Sequence, residues 1–141
     1  MPEADEVDAS ATARESDALF QMERAALAAR LDALPRASLD ALPFGVIRTD
    51  ATGAVVYFSA TEAQQSGYQG DRALGRTFFT EMAPCMGTPA FLQRIERAAS
   101  AGTLDVTFEH VGDFQDAERE LTARVFSAAS PGLWIFLRRR P

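Results

Sequence analysis

Residues 42–67 read LPFGVIRTDATGAVVYFSATEAQQSG. Two short runs of β-type residues, Phe44 to Thr49 and Ala54 to Phe58, are joined by Asp50-Ala51-Thr52-Gly53. That tetrapeptide is a turn signal, and the three pieces together predict an antiparallel hairpin. Ser59-Ala60-Thr61-Glu62 follows without a gap and has the form of a capping box, with Ser at the N-cap and Glu at the third helical position. A short helix is therefore expected to run from there toward Ser66 and Gly67.

Downstream, Asp71-Arg72-Ala73-Leu74-Gly75 reads as a single helical turn closed by glycine, and Phe78-Phe79 to Met82 as another. Thr88 with Pro89 at the first helical position starts a longer helix that ends at Gly102. Its Phe91, Leu92, Ile95, Ala98 and Ala99 make one apolar face, which predicts that it lies across the sheet. Three more strands are expected, at about Leu104 to Val111, Arg119 to Ala128 and Gly132 to Arg138. The last is nearly all apolar through Leu133-Trp134-Ile135-Phe136-Leu137, the mark of a central strand covered on both faces. The fold class is α+β: a five-stranded antiparallel sheet with flanking short helices.

Upstream, Ala, Glu, Arg and Leu dominate from about Thr12 to Leu34, with Leu19, Phe20, Met22, Leu27, Leu31 and Leu34 largely at helical spacings. One amphipathic helix is predicted, stopped by Pro35, with Leu39 and Leu42 anchoring the stretch that ends at Pro43. Residues 1–42 then form a helical cap or a dimerisation extension, and residues 43–141 the main domain.

Composition narrows the function. All 14 basic residues of the 141 are Arg, which excludes chemistry that rests on a lysine Schiff base. A net charge of -6, with Arg138, Arg139 and Arg140 as the only basic cluster, argues against nucleic acid, and that cluster reads as a solvated tail. No apolar run approaches the roughly 20 residues needed to span a bilayer. The opening Glu3, Asp5, Glu6 and Asp8 stand where a signal peptide would be positive, so a cytoplasmic protein with no membrane contact is expected. The single Cys85 has no disulfide partner, and the single His110 cannot complete a zinc site with it. Neither a Ser-His-Asp set nor a phosphate-cradling glycine loop is found, so no enzyme is expected.

The order strand, strand, short helices, long helix, then three strands is that of a PAS domain. Within it, Gly75-Arg76-Thr77-Phe78-Phe79-Thr80-Glu81-Met82-Ala83-Pro84-Cys85 closely resembles the segment of the photoactive yellow protein family that ends in its chromophore-bearing cysteine. The resemblance runs from about Phe44 to Arg139, through Leu42-Pro43-Phe44-Gly45, Phe58-Ser59-Ala60-Thr61-Glu62, and Phe108-Glu109 with Asp113 and Gln115. It implies a blue-light receptor with 4-hydroxycinnamate thioester-linked to Cys85. By the same resemblance Glu62 is the hydrogen-bond and proton donor to the buried phenolate, and Ser66 is a supporting hydroxyl. Phe58, Tyr68, Phe78, Ala83, Pro84, Gly112, Phe114 and Asp116 match pocket positions. Photoisomerisation and proton transfer then leave Glu62 ionised in an apolar setting, and the segment before Pro43 detaches to signal to a downstream protein. For Glu62 to donate near pH 7 it must stay neutral, which burial achieves by raising its pKa above about 4.3. A monomer or a weak homodimer through the N-terminal helix is implied.

The sequence departs from that family at the pocket. Phe58 stands where a tyrosine shares the phenolate, and Tyr57 is one residue away, on the opposite face of a strand. Tyr68 replaces an arginine, Gly112 and Phe114 replace larger or hydroxylated aromatics, and Asp116 replaces a methionine, where it would repel a phenolate. Plainer readings stand beside these. Cys85 is then a small buried hydrophobe, Glu62 bonds the backbone at Ser59 as a cap, and His110 is a half-exposed strand residue or a haem ligand. The domain as a whole is then a non-photoactive PAS module for ligand sensing or dimerisation.

Overall fold

The computed structural model describes residues 14–79, 89–112 and 118–139. Its sheet contains β1 (Gly45–Thr49), β2 (Val55–Phe58), β3 (Asp105–Val111), β4 (Glu120–Ser127) and β5 (Leu133–Arg139), in the order β2-β1-β5-β4-β3. Every neighbouring pair is antiparallel, and the apolar β5 is the central strand, as its composition demands. The β1–β2 turn is closed by the Asp50 carboxylate, which accepts from the Thr52 and Ala54 N–H groups and the Thr52 hydroxyl.

Strand alternation divides the buried side chains into two layers. Ile47, Phe58, Leu121, Ala123, Val125, Ile135 and Leu137 point to one face, here called the front. Val46, Tyr57, Phe126, Trp134 and Phe136 point to the back. The front is covered by α3 (Ala60–Ser66), α4 (Gly70–Ala73) and α5 (Pro89–Ala101), the last through Leu92, Ile95, Ala98 and Ala99. The back is covered by helical residues 14–20, by α1 (Arg24–Ala33) and by α2 (Arg36–Asp40), with Phe20, Leu27, Leu31 and Leu39 buried.

Two expectations are corrected. The N-terminal helix is not continuous over 12–34: it breaks at residues 21–23. The Phe20 carbonyl turns to accept from the buried Arg124 guanidinium on β4, and Glu23 restarts the helix by accepting from the Ala25 and Ala26 N–H groups. The arginine run is not all a solvated tail either. β5 continues through Arg138 and Arg139, with Arg138 lying 4.4 Å over the Phe20 ring and Arg139 buried. Phe78 and Phe79 have helical backbone as expected, while Thr80 to Met82 lie outside the described residues. Among the described residues, no helix is long and apolar enough to cross a membrane.

Candidate functional site

α3 begins at Ser59, whose hydroxyl accepts from the Glu62 N–H at 3.1 Å and also from the Val46 N–H at 3.0 Å. It ends at Gly67, whose left-handed φ of 73° suits a residue without a Cβ. One side of this short helix is buried, and Glu62 and Ser66, four residues apart, lie on it. The second half of a capping box is not made. The Ser59 N–H donates to the Val46 carbonyl instead, and the Glu62 carboxylate turns inward, fully buried.

There it meets Arg139. Nη1 donates to Oε1 at 2.6 Å and Nη2 to Oε2 at 2.8 Å, the two-pronged geometry that a planar guanidinium offers a carboxylate. Alternation along β5 puts Arg139 on the front with Ile135 and Leu137, so the strand period was the signal that locates it. Gly45 completes this corner: a Cβ built on it would lie 1.8 Å from the Glu62 Oε1, so no other residue leaves room for the carboxylate.

Phe58 belongs to the front layer with Phe78, and Tyr68 packs against it with ring centroids 6.1 Å apart. Tyr57 faces the back, where its hydroxyl donates to Asp40 at 2.6 Å. Burial and the neighbouring Asp40 carboxylate push the Tyr57 phenol well above its ordinary range. The Ser66 hydroxyl accepts from the Tyr68 N–H at 3.0 Å and so fixes the chain as it leaves α3. Gly112 closes the end of the β3–β4 ladder by donating to the Arg119 carbonyl, and the Arg119 guanidinium reaches the Gln65 carbonyl on α3. Phe78 is fixed from the other side, its N–H donating to the Gly53 carbonyl. Ala83, Pro84, Cys85, Phe114 and Asp116 lie outside the described residues.

A cleft of about 690 Å³ opens elsewhere, between α5, the two hairpin turns at 50–53 and 127–133, and Phe78 and Phe79. Glu62 does not line it. The carboxylate lies against the first residue of β1 and the cleft at its far end, roughly 13 Å along the strand at about 3.3 Å per residue.

The described side suits an aromatic acyl group in part. Phe58, Tyr68 and Phe78 supply aromatic rings to the apolar layer on the sheet face that also buries the Glu62 carboxyl. A phenolate, however, needs donors, and the Phe58 side chain has none, the Tyr57 hydroxyl serves Asp40 on the other face, and Glu62 receives two hydrogen bonds from Arg139.

Comparison with known proteins follows this geometry. The PAS fold family matches residues 33–140. Photoactive yellow protein of Rhodothalassium salexigens is 32% identical over 104 residues, 73% of this chain and 83% of its own length. That of Halochromatium salexigens is 31% identical over 102 residues, covering 72% and 82%. The crystal structure of the photoactive yellow protein domain from the sensor histidine kinase Ppr of Rhodospirillum centenum superposes with a TM-score of 0.70 at 40% identity, covering 79% of this chain and 98% of that one. With a five-stranded antiparallel sheet, a short helix carrying a buried glutamate and relatives that span most of its length, the chain belongs to the photoactive yellow protein family of PAS sensory domains.

Proposed function

We propose that this domain is a cytoplasmic, non-enzymatic blue-light receptor that carries 4-hydroxycinnamate as a thioester on Cys85. Glu62 is the hydrogen-bond partner of the ring oxygen. The observation that carries the reading is the burial of Glu62: a helix-capping carboxylate would stay at the surface, whereas this one is withdrawn from solvent on a chain of this family. Loading joins the Cys85 sulfur to the acyl carbon of an activated hydroxycinnamoyl ester, and the thiol proton leaves with the displaced alcohol or thiol. When bound, the group supplies a double bond that light isomerises.

The protein's own residues couple that event to the N-terminal segment. Asp40, the last residue of α2, accepts from both the Tyr57 hydroxyl and the Ala60 N–H at the start of α3, at 2.6 and 2.8 Å. The Thr61 hydroxyl donates to the Asp40 and Leu42 carbonyls. A shift of the helix bearing Glu62 therefore pulls on the same carboxylate that pins the cap, and residues 1–42 are the output element presented to a downstream signalling protein.

The test is to incubate the purified chain with an activated 4-hydroxycinnamate ester, weigh the denatured product and record its spectrum before and after blue light. A mass gain of one hydroxycinnamoyl group on the wild type and none on Cys85→Ala is the expected result. No gain on the wild type, or an equal gain on Cys85→Ala, overturns the reading.

A further inference from the structure

The cleft of about 690 Å³ at the far end of β1 has no part in the reading above, and its size is that of a site for a small organic molecule. Helix α5 faces it with Leu92, Ile95, Glu96, Ala99 and Ser100, which are spaced three and four apart on one side of the helix. Phe78, Ile95 and Leu133, all buried, give it an apolar lining. Its charged lining is acidic. Glu96 interrupts the apolar stripe of α5 at an exposed position, and Asp50 comes from the β1–β2 turn. No arginine is among the described residues that line the cleft. Arg48, the cation that acts on Asp50, is drawn to the β4–β5 turn, where its guanidinium donates to the Ser130 hydroxyl and the Pro131 carbonyl and lies 5.4 Å over the Trp134 ring. The Thr52 hydroxyl and the Thr52 and Ala54 N–H groups hold the Asp50 carboxyl below its ordinary range, so it is ionised at neutral pH.

One wall of this cleft also anchors the cap. Residues 127–133, the β4–β5 turn, line it, and Asp32 on α1 grips the same turn. The Asp32 carboxylate accepts from the Ser130 N–H and hydroxyl at 3.1 Å each and from the Trp134 indole N–H at 2.8 Å. The turn has no slack against β1: Gly132 has a φ of 120°, and a Cβ built on it would lie 2.1 Å from the Thr49 carbonyl oxygen. We propose that the cleft is a ligand site separate from the Glu62 corner, for a small amphiphile with an apolar body and a cationic amine, and that the turn carries its occupancy to the cap through Asp32. The apolar body displaces water from Phe78, Ile95 and Leu133, and the amine is drawn to Glu96 and Asp50, which repel an anion of the same shape. Ligand and docked cap hold the turn in one position, so each binds better when the other is in place. Glu62 does not line the cleft, and the proposal stands whether or not Cys85 carries a chromophore.

The test uses the 15N-labelled full chain and three probes of similar shape: 2-phenylethylamine, protonated at neutral pH, the neutral 2-phenylethanol and the anionic 3-phenylpropionate. The amide resonances of Gly53, Gly102 and Gly132, which line the cleft, should move as the amine is added, and those of Gly45 and Gly67, which do not line it, should stay. The amine should bind about two- to fivefold more tightly than the alcohol, the range of one exposed charge contact, and the propionate most weakly. Glu96→Gln should cut that advantage and leave the alcohol's binding unchanged, and Ala99→Trp, which fills the cleft, should abolish all three titrations. Asp32→Ala should weaken the alcohol, which does not feel the lost charge, by about fivefold, the low end of a typical coupling. No movement of the three glycines, or propionate binding as tightly as the amine, overturns the site. Equal binding of the alcohol to wild type and Asp32→Ala overturns the link to the cap. Should Ala99→Trp fail to fold, Glu96→Gln decides, and an unchanged preference for the amine overturns the ligand class.

Discussion

The two faces of the sheet bury different things. On the back, Phe20, Phe44, Phe126 and Phe136 pack ring on ring, with centroids 4.7 to 5.5 Å apart. The back's charged contacts reach toward solvent. Arg124 is buried, yet its partner Asp105 has 36% of its side chain exposed, and Arg138 and Asp17 form a surface pair. On the front the layer is mostly aliphatic, and its ion pair, Glu62 with Arg139, is sealed. Charges with a route to water can exchange partners for solvent at modest cost, whereas a sealed pair can change only if both members change together. The back therefore holds the cap through stacked rings, whereas the front keeps a charged pair away from solvent.

The largest effect is expected on the back. Phe136 touches three other rings, so Phe136→Ala should cost about 3–5 kcal/mol in urea unfolding, while Ile135→Val, its neighbour on the front, should cost about 0.5–1.5. Equal losses from the two would erase the distinction between the faces. The sole tryptophan adds a reporter, because the Trp134 indole N–H donates to Asp32 on α1 at 2.8 Å. Its emission should change in Phe136→Ala wherever the cap loosens before the sheet unfolds.

Next in size is Gly45→Ala. The added methyl collides with the Glu62 carboxylate, and forced overpacking of this kind costs about 1–3 kcal/mol. The damage should be confined to the front: Trp134 emission stays as in the wild type while the Glu62 carboxyl resonance moves. Unchanged stability would mean that the carboxylate does not rest on Gly45.

Much of this architecture is legible in the residues. The hairpin, the central place of β5, the α3 cap at Ser59 and the opposite facing of Tyr57 and Phe58 follow from local periodicity and turn chemistry, which act over a few residues. The break at residues 21–23 does not, because it depends on Arg124, 104 residues away from Phe20, pulling a carbonyl out of the helix. Arg139 lies between these cases. Alternation from Ile135 and Leu137 puts it on the covered face, but an arginine followed by another and a terminal proline reads as solvated until a buried acid is found opposite it. The same holds for Glu62. Its spacing from Ser59 is that of a surface cap, and only the sheet bond from the Ser59 N–H to Val46 frees its carboxylate to turn inward.

The junction between the faces gives the smallest effect and the cleanest window. Tyr57 on β2 and Asp40 on α2 share a hydrogen bond that also touches the start of α3, and replacing Tyr57 by Phe should cost about 0.5–1.5 kcal/mol near neutral pH. Because the folded state raises the Tyr57 pKa above its ordinary value of 10.0, the stability it contributes is fully present below that value. It is lost as the pH climbs from there through the folded value, since the unfolded phenol ionises first. The chain has no lysine, so few other groups titrate in that range. Urea unfolding between neutral and strongly alkaline pH should show the wild type losing stability steeply above pH 10, with Tyr57→Phe much flatter and the gap between them closing. Parallel curves would mean that the phenol is not held by Asp40, and that the cap and the helix bearing Glu62 are joined by the Ala60 N–H and the Thr61 hydroxyl without it.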